Sequence, residues 1–350
     1  MRAMKAFLLS VLTSKSRHQF CRSNLKTIVV LRYDRIGDMI VSLPLMMSLK
    51  MGFPRCFLTV VAGASNSCIA RESDFIDEVI VKPDNIVRWI LALVRLRLNK
   101  PSLVIDLNHA VTTHTILATL LINPLYVASP HKDGRWGVKG TDIQLFDIMP
   151  PKDSLGFSRP IAEIYLDIAR TLHCPTEGCL PYPLRNYDPC WQDRPYIILN
   201  ASGSRPTMRF SECDLVSIVD TIGNQNPELT VLLSCFDQNQ KPINEQLRKF
   251  ANVEILEATS DIIPMLGLVQ HARLVVTPDT SLVHIAVAYG TPLVAVYTSD
   301  EVLFAQWQPI NHPRAEVVRS HQLKSIDGFS INEVLGGIKK IIGSADSRRP

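Results

Sequence analysis

The 350-residue sequence lacks the features that mark several common protein classes. It has no uninterrupted run of about 18 apolar residues, so it predicts no transmembrane helix. Its eight cysteines are scattered and form no CxxC pair, which disfavours a zinc site and is typical of a reducing compartment. We therefore expect a chain whose fold depends on apolar cores, for which its 46% hydrophobic content is sufficient.

Several motifs of nucleotide, hydrolytic and metal sites are absent as well. No GxGxxG follows the first predicted strand, which disfavours a Rossmann dehydrogenase, and no GxxxxGKS or GxxxxGKT marks a P-loop. Neither HExxH nor GxSxG occurs. No DxD pair follows a strand in the way that would hold a divalent metal on a nucleotide-sugar diphosphate.

Positive charge is concentrated at the amino end of the sequence. The net charge is +4, and residues 1–26 contain six basic residues and no acidic one. The six are Arg2, Lys5, Lys15, Arg17, Arg22 and Lys26. The rest of the chain is nearly neutral, which argues against a nucleic-acid-binding protein, because such a protein needs basic residues spread over a face.

The amino-terminal segment resembles a signal peptide only in outline, with the sequence "MRAMKAFLLSVLTSKSRHQF". Its apolar core, residues 6–12, is short, and no convincing small-x-small cleavage site follows it. We expect residues 1–26 to form an uncleaved basic amphipathic arm that lies on an anionic membrane surface. The alternative is a frayed basic tail without membrane contact.

The first half of the chain alternates short apolar runs with helical patterns. Continuous Val, Ile and Leu runs, without polar alternation, are typical of parallel strands that are covered on both faces. One of the predicted helices between them spans 85–98. The predicted strands are 27–31, 57–62, 78–82, 103–107 and 125–129.

A second array follows a proline-rich stretch. Residues 174–195 contain five prolines, which predicts an interdomain linker over 176–195. The strands predicted after it are 196–200, 229–234, 253–256, 273–277 and 292–297. Two successive strand–helix arrays predict an α/β protein of two Rossmann-like domains that face each other, over 27–175 and 196–343, with a disordered tail at 344–350.

Asp34, Arg35 and Asp38 fall within five positions of the turn after the first predicted strand, in "LRYDRIGDMIVSLP". Ligands of open parallel sheets bind outside the carboxyl ends of strands. Gly37 permits a tight turn, and Asp38 stands at the entrance to the next helix. Asp38 is therefore a candidate functional carboxylate, the alternative being a helix N-cap. Pro44 predicts that this helix kinks, or that it begins near Ser42.

A second candidate site lies in the strand–helix–strand segment "VVTPDTSLVHIAVAYGTPLVAVY". Asp279 is placed to cap the helix, which would expose the backbone N–H groups of Thr280 and Ser281 to an anion such as a diphosphate. His284 shares a helix face with Thr280, one turn away. The alternative is an ordinary capped helix with a buried histidine.

The loop "LNASGSRPTMRFS", the first of the second array, is a third candidate site. Ser202 could contact a phosphate or a sugar there, and Arg205 and Arg209 could neutralise negative charge. The alternative is a polar surface loop.

Together these segments resemble glycosyltransferase family 9, the bacterial lipopolysaccharide heptosyltransferases. The resemblance depends on "LRYDRIGDMIVSLPLMMSLK" and "TPDTSLVHIAVAYGTPLVAVY", with weaker similarity in "PSLVIDLNHA" and "YTSDEVLFAQWQP". In order and spacing it covers roughly residues 27 to 320.

The resemblance implies a GT-B fold, in which the sheets of two Rossmann-like domains face each other across a cleft. Residues 27–175 would then bind the acceptor, and residues 196–343 would bind the donor. The implied reaction moves a heptose from ADP-heptose to a lipid-linked saccharide acceptor of the lipopolysaccharide core, inverting the anomeric centre and using no metal or other cofactor. The enzyme would work at the cytoplasmic face of the inner membrane, in peripheral contact with anionic lipid.

Residue roles follow from the matching motifs. Asp38 would be the catalytic base, and Arg35 and Gly37 would contact the acceptor, the alternative for Arg35 being that it only pairs with Asp34. The donor would be bound by Asp279, Thr280, Ser281 and His284, assisted by Ser202, Arg205 and Arg209.

Two positions depart from the family pattern. Ser281 stands where the family commonly has Gly, and Met208 stands where a Lys usually contacts the donor phosphate. Two alternatives therefore stay open at this point: a GT-B enzyme that uses another nucleotide sugar, and a catalytically silent, membrane-associated binding or scaffold protein.

Overall fold

The computed structural model describes residues 19–108, 111–132, 141, 143–151, 158–189, 191, 194–201, 203, 205–234, 247–256 and 261–346. The chain divides into two compact units, Met1–Pro183 and Leu184–Pro350. The division falls within the predicted linker, residues 176–195. The domain limits given above stay predictions.

The first unit is built on a parallel sheet of five strands in the order β3-β2-β1-β4-β5. Its strands are β1 (Thr27–Arg32), β2 (Phe57–Ala62), β3 (Glu78–Val81), β4 (Leu103–Asp106) and β5 (Tyr126–Ala128). Its helices are α1 (Ile36–Ile40), α2 (Leu43–Gly52), α3 (Ser67–Arg71), α4 (Ile86–Leu98), α5 (Thr113–Ile122) and α6 (Ile161–Thr171).

The second unit has a parallel sheet of six strands in the order β11-β10-β9-β6-β7-β8. Its strands are β6 (Tyr196–Asn200), β7 (Thr230–Ser234), β8 (Val253–Leu256), β9 (Leu274–Pro278), β10 (Leu293–Tyr297) and β11 (Ala315–Arg319). Its helices are α7 (Glu212–Gln225), α8 (Ile263–His271), α9 (Ser281–Tyr289), α10 (Glu301–Trp307) and α11 (Ile331–Asp346).

Continuous apolar strands produce these sheets. The strands β1, β4, β6, β7, β9 and β10 are buried along nearly their whole length. Such strands need cover on both faces, and the helices between them provide it. The ten strands predicted from the sequence are confirmed to within one residue at each end, whereas β11 was not predicted.

The predicted effect of Pro44 is confirmed. The short helix α1 ends at Ile40, and α2 begins at Leu43 with Ser42 as its N-cap and Pro44 in its first turn. Proline fits there because the amide nitrogens of the first turn need no partner within the helix. The chain therefore changes direction directly after Asp38.

The start of the described chain is fastened to the first unit by Arg22. Its guanidinium donates hydrogen bonds to the carbonyl oxygens of Gly52, Leu172 and His173, at 2.7 to 2.9 Å. These carbonyls lie at the carboxyl ends of α2 and α6, where a cation is favourable. Arg22, predicted as part of the basic arm, thus belongs to the folded unit, and residues 1–18 lie outside the described part.

The carboxyl end is helical for longer than expected. The helix α11 continues to Asp346, into the segment predicted as a disordered tail, and residues 347–350 lie outside the described part. In the described residues, no helix has both the length and the apolar composition needed to cross a membrane.

Candidate functional site

Both sheets have a point where the strand order reverses, and the candidate residues lie beside these two points. In the first unit the chain leaves β1 towards β2 on one side and later returns to β4 on the other. In the second unit β6 is followed by β7 on one side, while β9 pairs with its other side. Loops after such neighbouring strands diverge and leave a crevice that binds ligands.

The turn with Asp38 follows β1 directly. Arg35 is the N-cap of α1, and Asp38 occupies the third helical position rather than the cap. Asp38 Oδ2 accepts a hydrogen bond from the backbone N–H of Arg35 at 3.2 Å. A carboxylate at this position satisfies an amide that the helix leaves without a partner. The turn also contains Gly37, and both Arg35 and Asp38 remain accessible to solvent.

Arg32, the last residue of β1, stabilises this turn from the buried side. Its fully buried guanidinium lies 2.7 Å from Asp38 Oδ1 and 3.0 Å from Asp34 Oδ2. It also donates to the carbonyl oxygens of Asp38 and Leu107, at 3.1 and 3.3 Å. Such a fork of donors orients a carboxylate as well as pairing with its charge. Arg32 therefore fixes the Asp38 side chain at the edge of the sheet.

The buried environment shifts the pKa values of these groups in different directions. Burial by itself would lower the pKa of Arg32, but Tyr165 and the neighbouring carboxylates outweigh it and raise that pKa. Burial raises the pKa of Asp34 in spite of the Arg32 charge. Burial also raises the pKa of Tyr165, whose ring lies 5.4 Å from the guanidinium carbon and whose hydroxyl donates to the Leu107 carbonyl.

Asn66, in the loop after β2, is a second support for the turn. Its buried side-chain amide donates to the carbonyl oxygens of Arg32, Asp34 and Arg35, at 3.2 to 3.4 Å. Its side-chain oxygen accepts from the backbone N–H of Gly63 at 2.8 Å. One amide thus connects the loops after two adjacent strands.

A separate ion pair lies at the end of β4. The Lys132 ammonium and the Asp106 carboxylate are 2.9 Å apart, and both side chains are buried. Lys132 also donates to the carbonyl oxygen of Asn108. Burial lowers the pKa of Lys132, which the charge of Asp106 opposes. Since no charge of this pair is exposed, we assign it to stabilising the loop that follows β4.

In the second unit, side chains from β6 and β9 meet at the start of α9. Asn200 Nδ2 donates to the hydroxyl oxygens of Thr277 and Thr280, at 2.9 and 3.3 Å. The two threonine hydroxyls are 2.9 Å apart. This network connects the ends of adjacent strands and fixes the beginning of the helix.

The cap of α9 differs from the prediction. Thr280, not Asp279, is the N-cap, because its hydroxyl accepts from the backbone N–H of Leu282 at 3.3 Å. Asp279 precedes the cap, where its own N–H donates to the carbonyl of Val296. Ser281 is the first helical residue, and both it and Asp279 are partly exposed. The expected amino terminus of a helix is present at this edge.

His284 lies within the core of the second unit. Its side chain is only 2% exposed, and its ring centre is 5.7 Å from that of Trp307. Burial lowers its pKa from the usual 6.5 to about 4, so the imidazole is neutral at physiological pH. The structure therefore places His284 on the buried side of α9, in its first turn and beside Trp307.

The loop after β6 is described only in part. Ser202 lies outside the described residues. Arg205 is exposed, Arg209 is partly buried, and a single turn of 3-10 helix, Pro206–Met208, lies between them. Gly203 donates its backbone N–H to the carbonyl of Met208, and a Cβ atom at Gly203 would lie 2.7 Å from Met208 Cβ. The loop is thus folded back closely upon itself.

Within each unit the structure places the described candidate residues on the same turn or on neighbouring elements. Arg35, Gly37 and Asp38 share one turn of the first unit, and the loops with Arg205 and Asp279 follow adjacent strands of the second. Sequence reasoning missed Arg32, Asn66 and the Asp106–Lys132 pair. A charged residue at the end of an apolar strand could have indicated Arg32, whereas Asn66 and Lys132 carry no such signal. Among the described residues, no three His, Cys, Asp or Glu side chains cluster as metal ligands would.

Comparisons with known proteins agree with this architecture. Residues 163–337 match the family described as glycosyltransferase family 9 (heptosyltransferase). No curated protein sequence matches the chain significantly.

Among solved structures, E. coli ADP-heptose lps heptosyltransferase II aligns with a TM-score of 0.72 and 18% identity, covering 91% of this chain and 99% of the other. A Veillonella parvula glycosyl transferase family 9 protein aligns with a TM-score of 0.76 and 14% identity, covering 94% and 100%. The E. coli heptosyltransferase WaaC with ADP aligns with a TM-score of 0.66 and 15% identity, covering 90% of this chain and 99% of the other.

Two parallel Rossmann-like sheets, each with polar residues at its reversal point, define an α/β protein of the GT-B class, which confirms the predicted fold. The match to the family covers half of the chain. The chain belongs to glycosyltransferase family 9 and is a glycosyltransferase.

Proposed function

We propose that this glycosyltransferase transfers a heptose from ADP-heptose to a lipid-linked saccharide acceptor of the lipopolysaccharide core, with inversion and without a metal. Membership of the heptosyltransferase family supports the sugar. Two E. coli enzymes of similar fold are named with ADP-heptose or ADP, which supports the nucleotide.

The observation that carries the proposal is the ion pair by which buried Arg32 orients the partly exposed Asp38 carboxylate. The carboxylate is held by Arg32 at Oδ1 and by one backbone amide at Oδ2, yet its side chain is 16% exposed. It therefore has free lone pairs that an acceptor hydroxyl can reach. A correctly placed carboxylate base contributes on the order of 10²–10⁴-fold to the rate.

In the proposed step, the acceptor hydroxyl gives its proton to Asp38 as its oxygen bonds to the anomeric carbon. The bond from that carbon to the diphosphate oxygen breaks, and its electron pair leaves with ADP. Attack on the face opposite the diphosphate inverts the anomeric centre. Arg35 and Gly37, on the same turn, are assigned to binding the acceptor.

The leaving diphosphate needs positive charge, which the second unit offers. The amino terminus of α9, at Thr280 and Ser281, presents backbone N–H groups and the positive end of the helix dipole. Arg205 and Arg209 lie on the loop after the adjacent strand. We assign these groups, with Ser202, to the diphosphate, where they would replace a metal ion. Asp279 is assigned to direct contact with the donor. The buried His284 is assigned an indirect role in donor binding, because it stabilises α9.

The proposal is tested by transfer from ADP-heptose to lipopolysaccharide core acceptors with the Asp38→Asn variant. The isosteric change removes the base, so we expect turnover to fall by at least about 10²-fold while ADP affinity stays within a few-fold. Asp74→Asn, at an exposed carboxylate of the same unit, is the control. Near-normal turnover of Asp38→Asn would exclude Asp38 as the base.

A second candidate, transfer from another nucleotide sugar, is favoured by Met208. This side chain, at the place of the family's usual lysine, packs partly against the core of the second unit and supplies no charge. Calorimetric titration with ADP, UDP, GDP and CDP separates the two candidates. Selective ADP binding that is lost in Asp279→Ala supports ADP-heptose, and preference for another base supports the second candidate. A folded protein that binds none of them would favour a catalytically silent relative.

The site of action is proposed to be the cytoplasmic face of the inner membrane, because the acceptor carries lipid. The basic arm was predicted to make the contact. Since Arg22 is engaged with the carbonyls of α2 and α6, a deletion that tests the arm should end at residue 18 and spare the folded unit.

A further inference from the structure

The helix α4 presents apolar side chains on two sides. Trp89, Leu93 and Leu96 are buried in a core that includes residues of β1, β2 and β4. A helix that packs on a sheet usually turns a polar face to water. On α4 the outward side is apolar instead, and its large exposed members are Ile86, Val87, Ile90, Leu91, Val94 and Leu98.

This face is unusual within the molecule. The described residues include twelve large apolar side chains that are strongly exposed, and six of them lie on this one helix. Val87, Leu91 and Leu98 are 61%, 62% and 75% exposed. Val87, Leu91, Val94 and Leu98 follow one another at spacings of three and four residues, which places them on one stripe. Contiguous exposed apolar patches mark interaction surfaces.

The charges around the stripe are all positive within the helix. Arg88 and Arg95 lie on one side of this apolar stripe, two helical turns apart, and Arg97 lies on its other side. Lys100 follows the helix, and no acidic residue occurs between positions 85 and 100. Arg95 contacts Glu78 at 3.5 Å but remains 74% exposed. An apolar stripe between arginines whose long stems reach sideways is suited to the boundary between lipid tails and anionic head groups.

We propose that the outward face of α4 docks on an anionic lipid surface, with its six apolar side chains among the acyl chains and its arginines at the phosphates. The reason for such contact, a lipid-linked acceptor, rests on the proposed function. The docking itself depends only on the chemistry of α4. Thirteen helical residues span about 20 Å, so the contact is long enough to orient the first unit on the membrane.

Charge disfavours the two other simple occupants of this face. The segment 1–18 of this chain contains basic residues and no acidic one, so it would be repelled by the arginines of α4. A second copy that used the same face would bring like charges together in the same way. An anionic surface with an apolar interior satisfies both features of the stripe.

The position of α4 relates this contact to the turn with Asp38. Trp89, on its buried side, lies edge-to-face with Tyr33 at 6.3 Å between ring centres. Tyr33 directly follows Arg32, and the Lys82 ammonium lies over both rings, 5.9 and 5.8 Å from their centres. The amino-terminal part of α4 is therefore next to the edge of the sheet that carries Asp38, where a membrane-held acceptor would be needed.

The test is co-sedimentation of the full chain with vesicles of equimolar phosphatidylglycerol and phosphatidylcholine, and with vesicles of phosphatidylcholine alone. We expect binding to the first kind that weakens as salt screens the arginines. The variant Val87→Gln/Leu91→Gln/Leu98→Gln should bind more than about tenfold more weakly. Arg97→Gln should lose about fivefold. All four positions are exposed, so folding should be unaffected.

The matched control is Val302→Gln/Leu303→Gln/Leu323→Gln, which changes three exposed apolar residues of the second unit, 45% to 63% exposed. It should bind vesicles like the unaltered chain. Equal binding by both triple variants would overturn the proposal, as would binding lost only on deletion of residues 1–18. A change of oligomeric state in the α4 variant without a loss of vesicle binding would also overturn it and indicate a self-association face.

Transfer to a core acceptor stripped of its fatty acids separates this inference from the proposed function. The α4 triple variant should transfer heptose to this water-soluble acceptor at the rate of the unaltered chain. Vesicle binding through α4 without any transfer would support the docking surface and refute the proposed reaction. Transfer without vesicle binding would refute the docking surface alone.

Discussion

The Arg32 guanidinium joins two carboxylates of one turn, with Nη2 2.7 Å from Asp38 Oδ1 and Nη1 3.0 Å from Asp34 Oδ2. Arg32 is fully buried, whereas both acids reach solvent. The orientation of the proposed base is therefore set from inside the sheet. A ligand that meets Asp38 finds a carboxylate whose position is already fixed.

Replacing Arg32 by lysine tests this arrangement. Lysine keeps the charge but cannot donate to both acids from one planar group. We expect kcat to fall by roughly 10²-fold, as small misplacements of reacting groups do, with little change in the KM for the donor. Steady-state kinetics measure the two separately. Arg170→Lys is a matched control, because Arg170 also joins two acids, Glu163 and Asp167, but on the exposed side of α6. Equal losses in both variants would contradict a special role of Arg32.

Asn66→Ala should loosen the same turn from its other side. The change leaves the carbonyls of Arg32, Asp34 and Arg35 and the N–H of Gly63 without their amide partner. We expect the free energy of unfolding to fall by about 1–3 kcal/mol and kcat to fall with it, while ADP affinity is kept. Urea denaturation and calorimetry are the measurements. The control Asn224→Ala, at an exposed asparagine of α7, should change neither the free energy of unfolding nor kcat. An unaltered kcat in Asn66→Ala would show that the turn does not need this amide.

Met208→Lys restores the residue that the family usually has at this place. The side chain is partly exposed, so the new ammonium can reach solvent and a donor phosphate. If Met208 is the reason for weak phosphate contact, ADP affinity should rise by up to about fivefold, which calorimetry can resolve. Met208→Leu keeps the apolar packing without the charge and should leave ADP affinity as it is. A gain in both variants would point to packing rather than charge.

His284 makes the stability of the protein depend on pH. The unfolded chain takes up a proton near pH 6.5, but the buried imidazole does so only near pH 4. Above pH 6.5 both states are neutral at this residue, and the full stability is present. Between pH 6.5 and 4 only the unfolded state is protonated at this residue. The free energy of unfolding therefore decreases as the pH is lowered, in total on the order of 3 kcal/mol.

Urea denaturation across this pH range measures the effect. His284→Gln should reduce the slope of the free energy of unfolding against pH by the contribution of His284, whatever the variant does to the absolute stability. His321→Gln, at an exposed histidine, should leave the slope unchanged. A slope that is the same in all three proteins would show that other groups cause the acid sensitivity.

Much of the fold could be predicted because its strands are continuous apolar runs. The strand β11 escaped prediction since "AEVVR" contains two charged residues and is mostly only half-buried. It lies at the edge of its sheet and pairs on one side with β10 alone. Its two charged residues leave an apolar run of only two valines, which is too short to indicate a strand.

The candidate site was predictable only in part. Asp38 stood out because three charges follow an apolar strand within five positions. Its partner Arg32 did not, because its role depends on folded neighbours, among them the Leu107 carbonyl beyond β4. Asn66 could not be found without the pairing of β1 with β2. At α9 the sequence analysis placed the cap at Asp279, but the cap is Thr280, whose hydroxyl accepts from Asn200 and from the backbone N–H of Leu282.

The contact between Trp89 and Tyr33 also provides an optical probe within the native chain. Of its four tryptophans, Trp89 joins the outward-facing helix to the residue next to Arg32. Its indole is shielded from water and lies under the Lys82 charge, so its emission depends on the spacing of these three groups. With the other tryptophans replaced by phenylalanine, one fluorescence spectrum would report on a membrane-facing helix and on the loop of the proposed base together.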